Sequence, residues 1–237
     1  MSQKVMHKAA TRGRANHGWL DSHHTFSFAQ YYNPERMGFG LLRVLNDDVV
    51  APGMGFGTHP HDNMEIVSIP IKGSLAHQDS TGTKEVIQTN EVQIMSAGSG
   101  LTHSEFNASK ADPVNFLQIW VFPKERDITP RYEQKTFRPE DRQNRLQTVI
   151  APEKQEGALW INQDAWFTLG TLKSGFSEEY TLHKQGNGLY AFVIDGEVEI
   201  DGEKLSKRDG MGISDVSSVT VKASGDAEVL LMEVPMK

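Results

Sequence analysis

The stretch Gly53–Gly73 reads GMGFGTHPHDNMEIVSIPIKG. It opens on a glycine-rich turn, passes through His59-Pro60-His61, and then runs through a mostly apolar segment to Lys72-Gly73, read as a chain reversal. In a β-strand residues i and i+2 point to the same face, so His59 and His61 present two imidazoles side by side. Glu65 has the same parity and, on an unbroken strand, would share that face.

A second stretch repeats the device. After the turn AGSGLT comes His103-Ser104-Glu105, again two ligand-type side chains at i and i+2 directly after glycines. Residues 62–102 separate the two pairs, enough for several strands, so the pairs can meet as neighbours across a sheet or barrel. Three imidazoles and one carboxylate then converge. Such a set suits a borderline divalent metal, iron(II), manganese(II), nickel(II), copper(II) or zinc(II), with positions left open for substrate. Glu105 is preferred to Glu65 as the carboxylate because it shares a strand with a histidine. Glu65 is kept as a supporting or alternative ligand.

Outward from these motifs the chain keeps one rhythm. Short apolar stretches (Phe39–Leu45, Val92–Met95, Phe116–Phe122, Trp166–Leu172, Leu189–Ile194, Glu228–Val234) are broken by Gly, Asp or Asn, the pattern of an all-β sandwich or barrel. Asp195-Gly196, between AFVI and EVEI, predicts a two-residue hairpin with positive φ at both residues, and Asp201-Gly202 predicts another. Helical periodicity is scarce, and Pro139–Leu146 predicts a short connecting helix. The charged, Gln- and Pro-rich segment after Pro123 marks a connection. The expected division is 1–125, an N-terminal barrel with the metal site; 126–158, a connecting segment; and 159–237, a C-terminal barrel. Laying Val193–Gly196 (VIDG) over Pro70–Gly73 (PIKG) suggests an internal duplication. That overlay puts Leu182 on His59, Lys184 on His61 and Gly188 on Glu65, so one metal per chain is expected, with none in the second half.

Composition narrows the chemistry. The 237 residues carry 24 Lys+Arg against 31 Asp+Glu, a net charge of −7, which argues against a broad nucleic-acid-binding face. There is no cysteine, so disulfides, thiolate nucleophiles, and thiolate zinc or iron–sulfur sites are excluded, and any metal is held by nitrogen and oxygen. No segment reaches the ~20 consecutive apolar residues of a membrane helix. The first residues, MSQKVMHKAATRGRANHGWL, lack a signal-peptide core and read as a mildly basic, solvated arm. A soluble cytoplasmic protein is expected.

The motifs also carry a resemblance. Gly53–Gly73 is similar to the first cupin motif, and Gly98–Asn107, GSGLTHSEFN, resembles the second, with Gly98 where that motif usually has proline. More narrowly, HPHDNME, LAHQDSTG, MSAGSGLTHSE and LQIWVFP resemble the pirin family, densely over residues 15–125. The C-terminal half resembles it mainly in length and rhythm. The resemblance implies two tandem jelly-roll-like cupin barrels, a bicupin. It makes His59, His61, His103 and Glu105 the ligands of one metal, usually iron(II), with manganese, nickel, copper, cobalt or zinc as alternatives. It leaves Glu65 outside the ligand set. It further implies a quercetin 2,3-dioxygenase activity, in which Glu105 takes the flavonol 3-hydroxyl proton as general base and O2 opens the central ring with loss of carbon monoxide. A base cannot be a tight ligand at the same moment, so Glu105 would have to loosen. The rival reading is a non-catalytic, iron-dependent regulator acting through a protein partner, and a metal-dependent isomerase or hydrolase is a further one.

The other histidines read less sharply. His77 either lines the pocket mouth or is a turn histidine bonded to a nearby Asp. His23 and His24 are adjacent and face opposite sides, so only one can approach a site. His7 and His17 read as solvated and His183 as isolated. Phe26, Phe28, Phe39 and Phe56 read mainly as core, with one or two able to wall a pocket.

Overall fold

Alternation along Val114–Val121 shows how the chain is layered. Leu117, Ile119 and Val121 enter one large apolar cluster, Phe116 enters another, and Gln118 and Trp120 line a cavity. A run this apolar marks a strand covered on both faces.

The computed structural model of the protein describes residues 2–153 and 157–237. The first strands are β1 (Gln3–His7), β2 (Gly13–Asn16), β3 (Leu20–His24), β4 (Leu42–Val50), β5 (Gly55–His61) and β6 (Glu65–Lys72). They are followed by β7 (Ser74–Asp79), β8 (Lys84–Gln88), β9 (Glu91–Ser96), β10 (Leu101–Asn107), β11 (Val114–Val121) and β12 (Arg131–Thr136). The second half contributes β13 (Leu146–Ala151), β14 (Leu159–Trp160), β15 (Trp166–Leu172), β16 (Phe176–Thr181) and β17 (Asn187–Asp195). It ends with β18 (Glu197–Ile200), β19 (Glu203–Ser206), β20 (Gly210–Ser214), β21 (Ser218–Ala223) and β22 (Ala227–Pro235).

Each half is a sandwich of a seven-stranded and a four-stranded sheet. The orders are β12-β9-β6-β11-β4-β3-β2 with β5-β10-β7-β8, and β1-β20-β17-β22-β15-β13-β14 with β16-β21-β18-β19. The expected all-β bicupin is what the chain forms, and the two orders match position for position. The largest core cluster lies between the halves, where Leu45, Val67, Leu117 and Ile119 meet Phe167, Phe192, Leu230 and Met232. The seven-stranded sheets therefore pack on each other, and the four-stranded sheets form the outer layers.

Three local expectations are corrected. The basic N-terminal arm is exposed along most of its length but not free: β1 pairs antiparallel with β20 of the second half, from Gln3↔Ser214 to His7↔Gly210. His7 is buried there, its Nδ1 2.8 Å from the Tyr190 hydroxyl and its ring edge-on to Phe26. Burial, and then the Arg36 charge, pull its pKa down to about 4. Sequence periodicity misses this because a five-residue edge strand takes its stability from a partner some 200 residues away.

Asp195-Gly196 and Lys72-Gly73 are not hairpins. β17 and β18 belong to different sheets, as do β6 and β7, so both glycines mark where the chain passes from one layer to the other. Only Gly196 and Gly73, not the residues before them, have positive φ. Gly196 is also packed so tightly that a Cβ would overlap the Asp226 carbonyl oxygen. Asp201-Gly202 does form the expected hairpin, φ +49° and +87°, between β18 and β19. Last, the expected connecting helix is only a 3-10 turn, Pro139–Arg142. Residues 154–156 of the connection lie outside the described residues.

Candidate metal centre

β5 and β10 are antiparallel neighbours, with His103 opposite His59 and Leu101 opposite His61. That register brings the two motifs together. The ring centroids lie 4.5 Å apart for His59–His103 and 4.9 Å apart for both His59–His61 and His61–His103. One nitrogen from each of the three falls within 4.8 Å of the others. A bulge between His103 and Glu105 adjusts the strand at this point.

The donor set fits a metal. His59 Nδ1 lies 2.8 Å from the Gly57 carbonyl, which can only accept, so the proton sits on Nδ1 and the Nε2 lone pair is free. His103 is buried, and neither ring nitrogen finds a hydrogen-bond partner among the described residues. Two orphaned nitrogens on one buried ring are costly unless something binds them. Burial and the neighbouring imidazoles His59, His61 and His77 hold His103 far below the usual histidine range. Burial, followed by His59, brings His61 down to about 4. These two ligand candidates are therefore neutral donors at neutral pH.

Glu105 is deeper. Its Oε2 accepts 2.7 Å from Gln118 Nε2 and its Oε1 accepts 3.2 Å from Ser68 Oγ. Burial pushes its pKa up to about 7, helped by the Asp48 charge and opposed by the Ser68 and Gln118 hydrogen bonds. Its carboxylate groups within 4.8 Å with His77 and His103, so the two three-residue sets share His103. His77 is not at a pocket mouth: it is buried beneath His103, centroids 5.3 Å apart, and it does bond Asp79 at 3.1 Å.

Glu65 is not brought in. The chain turns at Asn63, φ +45°, and β6 starts at Glu65 in the other sheet, so parity with His59 and His61 is lost. The Glu65 carboxylate accepts from Ser96 Oγ at 2.8 Å and from the Asn162 N–H at 3.1 Å, at the boundary with the second half.

A cavity of about 470 Å³ opens on His59, His61 and Glu105. This volume lies in the range of small-molecule sites. Trp19, Phe28, Phe56 and Trp120 supply its apolar walls; Ser22, His24, Asn46, Asp48 and Gln118 supply polar groups. The Trp120 ring stands edge-on to His61 at 5.0 Å and to Phe28 at 5.3 Å. Asp48 is buried, accepts from the Ser22 hydroxyl, and is pushed up to about 7 chiefly by burial. Of the adjacent histidines, His24 lines the cavity and His23 does not; His17 is exposed and sits at the rim. Phe28 and Phe56 wall the cavity, whereas Phe26 and Phe39 are core.

Sequence reasoning did not reach Trp19, Ser68, Gln118, Trp120, Asn46 or Asp48. The available signal was a polar residue inside an apolar run: Gln118 in NFLQIWV and Asn46-Asp47-Asp48 in VLNDDVV.

In the second half, Tyr180 pairs with Val219 as His59 pairs with His103, and Ile200 pairs with Val221 as His77 pairs with Glu105. The register thus places Tyr180 at the His59 position, two residues before the overlay's Leu182. Tyr180, Val219, Val221 and Ile200 all belong to one apolar cluster. His183 instead binds the buried Glu233 at 2.9 Å and stacks on Trp166.

Fold and site together define a bicupin with a histidine–carboxylate cluster in its first barrel. Two family models match the chain, Pirin over residues 5–121 and the quercetinase C-terminal cupin domain over residues 148–234. The chain is 45% identical over 232 residues to the quercetin 2,3-dioxygenase of Escherichia coli strain K12, covering 97% of this chain and 98% of that one. It is 41% identical over 222 residues to a pirin-like protein of Caulobacter vibrioides, covering 93% and 95%. Among solved structures, YhhW from Escherichia coli superposes with a TM-score of 0.94 at 44% identity, covering 98% of each chain. The bacterial pirin YhhW in complex with nickel(II) gives 0.93 at 43%, covering 98% and 99%. The chain belongs to the pirin family.

Proposed function

We propose that this protein is a metal-dependent dioxygenase that cleaves a flavonol of the quercetin type with O2, releasing carbon monoxide. The observation that carries this reading is a cluster of three imidazoles, His59, His61 and His103, beside an aromatic-lined cavity onto which His59, His61 and the buried Glu105 open. The Escherichia coli relative is named for this activity.

In this reading His59, His61, His103 and Glu105 hold one divalent first-row ion, iron(II) by family resemblance, and a related structure holds nickel(II). When bound, such an ion supplies Lewis-acid stabilisation of an anionic substrate oxygen and access to O2. The protein's part is binding, orientation and proton transfer. The edge-on pairs Trp120–Phe28 and Trp19–Phe56 line the cavity and give a planar ring apolar surface that keeps water away. Glu105, loosened from the ligand set, accepts the proton of the flavonol 3-hydroxyl. Its carboxyl opens on the cavity, within reach of a bound hydroxyl, which is the geometry such a transfer needs. Gln118 and Ser68 hold the carboxylate oxygens as its charge changes.

The test is anaerobic loading with iron(II), and separately with nickel(II), manganese(II), copper(II), cobalt(II) and zinc(II), followed by quercetin and O2. Stoichiometric O2 consumption and CO release are expected with at least one ion. No turnover with any of them would overturn the dioxygenase reading.

A further inference from the structure

The cavity wall holds a row of polar side chains that the metal site uses at only one end. Across the seven-stranded sheet, His24 of β3 pairs with Asn46 of β4, Asn46 with Gln118 of β11, and Gln118 with Ser68 of β6. Directly paired residues in an antiparallel sheet project from the same face. At one end, Gln118 and Ser68 are engaged by the Glu105 carboxylate. At the other end, His24 Nδ1 and Asn46 Oδ1 are buried without a hydrogen-bond partner among the described residues. Both residues line the cavity at 3% and 2% exposure, with the Ser22-bound Asp48 beside them. Buried polar atoms left unpaired in a folded wall are a cost that a ligand can remove.

We propose that His24 and Asn46, with Asp48 beside them, form a second anchor in the cavity that binds ring hydroxyls of the substrate remote from the metal. The ligand class is then a planar polyphenol hydroxylated at both ends, one end at the Glu105 side and the other about two strand spacings away, roughly 10 Å along the sheet. The inference rests on the flavonol reading of the site and adds to it which flavonols fit. His24 sets the far wall by packing edge-on against Phe28, centroids 5.3 Å apart.

The experiment compares quercetin with 3-hydroxyflavone, which keeps the 3-hydroxyl and lacks every other hydroxyl. Binding to the metal-loaded protein is followed without O2, by quenching of the tryptophan fluorescence to which Trp19 and Trp120 contribute. The native protein is expected to bind quercetin at least about tenfold more tightly. Asn46→Ala and the shape-keeping His24→Phe should each lower quercetin affinity towards that of 3-hydroxyflavone, while leaving 3-hydroxyflavone within about twofold. Equal binding of the two compounds by the native protein, or a parallel loss of both in the variants, overturns the anchor and leaves the flavonol reading standing. Binding of neither compound overturns both. If Asn46→Ala loses its cooperative thermal transition, His24→Phe decides alone, and full discrimination in that variant refutes the proposal.

Discussion

Acid should loosen the clasp that β1 makes on the second barrel, and His7 is the residue that senses it. His7 is 4% exposed, between Tyr190 and Phe26, with a pKa lowered from 6.5 to about 4. A group whose folded pKa is depressed leaves stability untouched above its unfolded pKa and removes it as pH falls towards the folded pKa. The window is therefore pH 6.5 to about 4. Between pH 7 and pH 5 the unfolded chain takes up a proton that the folded chain refuses, costing about 2 kcal/mol, and the full shift corresponds to about 3.4 kcal/mol. Other buried histidines add to the acid sensitivity, so the measurement is a difference. Guanidinium unfolding of the native protein and of His7→Gln, at pH 7 and pH 5, should show the gap between them change by about 2 kcal/mol in favour of the variant at the lower pH. A gap that stays constant to within about 0.5 kcal/mol would show that His7 is not held neutral by burial, and the reasoning fails.

Other outcomes are equally open to measurement. His103→Ala and His59→Ala should lose bound metal by elemental analysis while keeping the β-rich circular dichroism of the native chain; full metal content in either refutes the ligand assignment. Adding metal at about 100 times its dissociation constant should stabilise the native protein by about 2.7 kcal/mol and leave His103→Ala unmoved, read as a shift in melting temperature. Gln118→Leu removes the 2.7 Å donor to Glu105 and should lower kcat by about tenfold to a hundredfold with metal retained; unchanged turnover would show that this hydrogen bond does not position Glu105 for the reaction. Gly55→Ala should separate β5 from β10, because a Cβ there overlaps the Glu105 carbonyl oxygen and the Phe106 Cα, so metal affinity and melting temperature fall together.

The metal cluster was legible because each half of it is local. His59 and His61, like His103 and Glu105, are two residues apart on one strand, and a strand's period of two orients each pair without knowledge of the rest. Glu65 shows the limit of that logic. Its parity was right on paper, but the turn at Asn63 moves it into another sheet, where it binds Ser96 and Asn162. The same change of layer turned Lys72-Gly73 and Asp195-Gly196 from apparent hairpins into crossings, because a glycine with positive φ serves either geometry.

His7, Trp120 and Asn46 were illegible for a different reason. Each takes its meaning from residues far away in the chain: Tyr190 for His7, His61 for Trp120, His24 and Gln118 across the sheet for Asn46. The amino-acid sequence by itself determined the all-β rhythm, the nitrogen-and-oxygen chemistry of a cysteine-free chain, and the two candidate ligand pairs, since these depend on composition and on spacings within one strand. Only the tertiary structure decided that the two motifs lie side by side on neighbouring strands, that Glu65 stands apart from them while Glu105 opens on the cavity, what else lines that cavity, and that the N-terminus joins the second barrel. Those are properties of strand register between distant segments, set by the burial of whole faces rather than by any short stretch of residues.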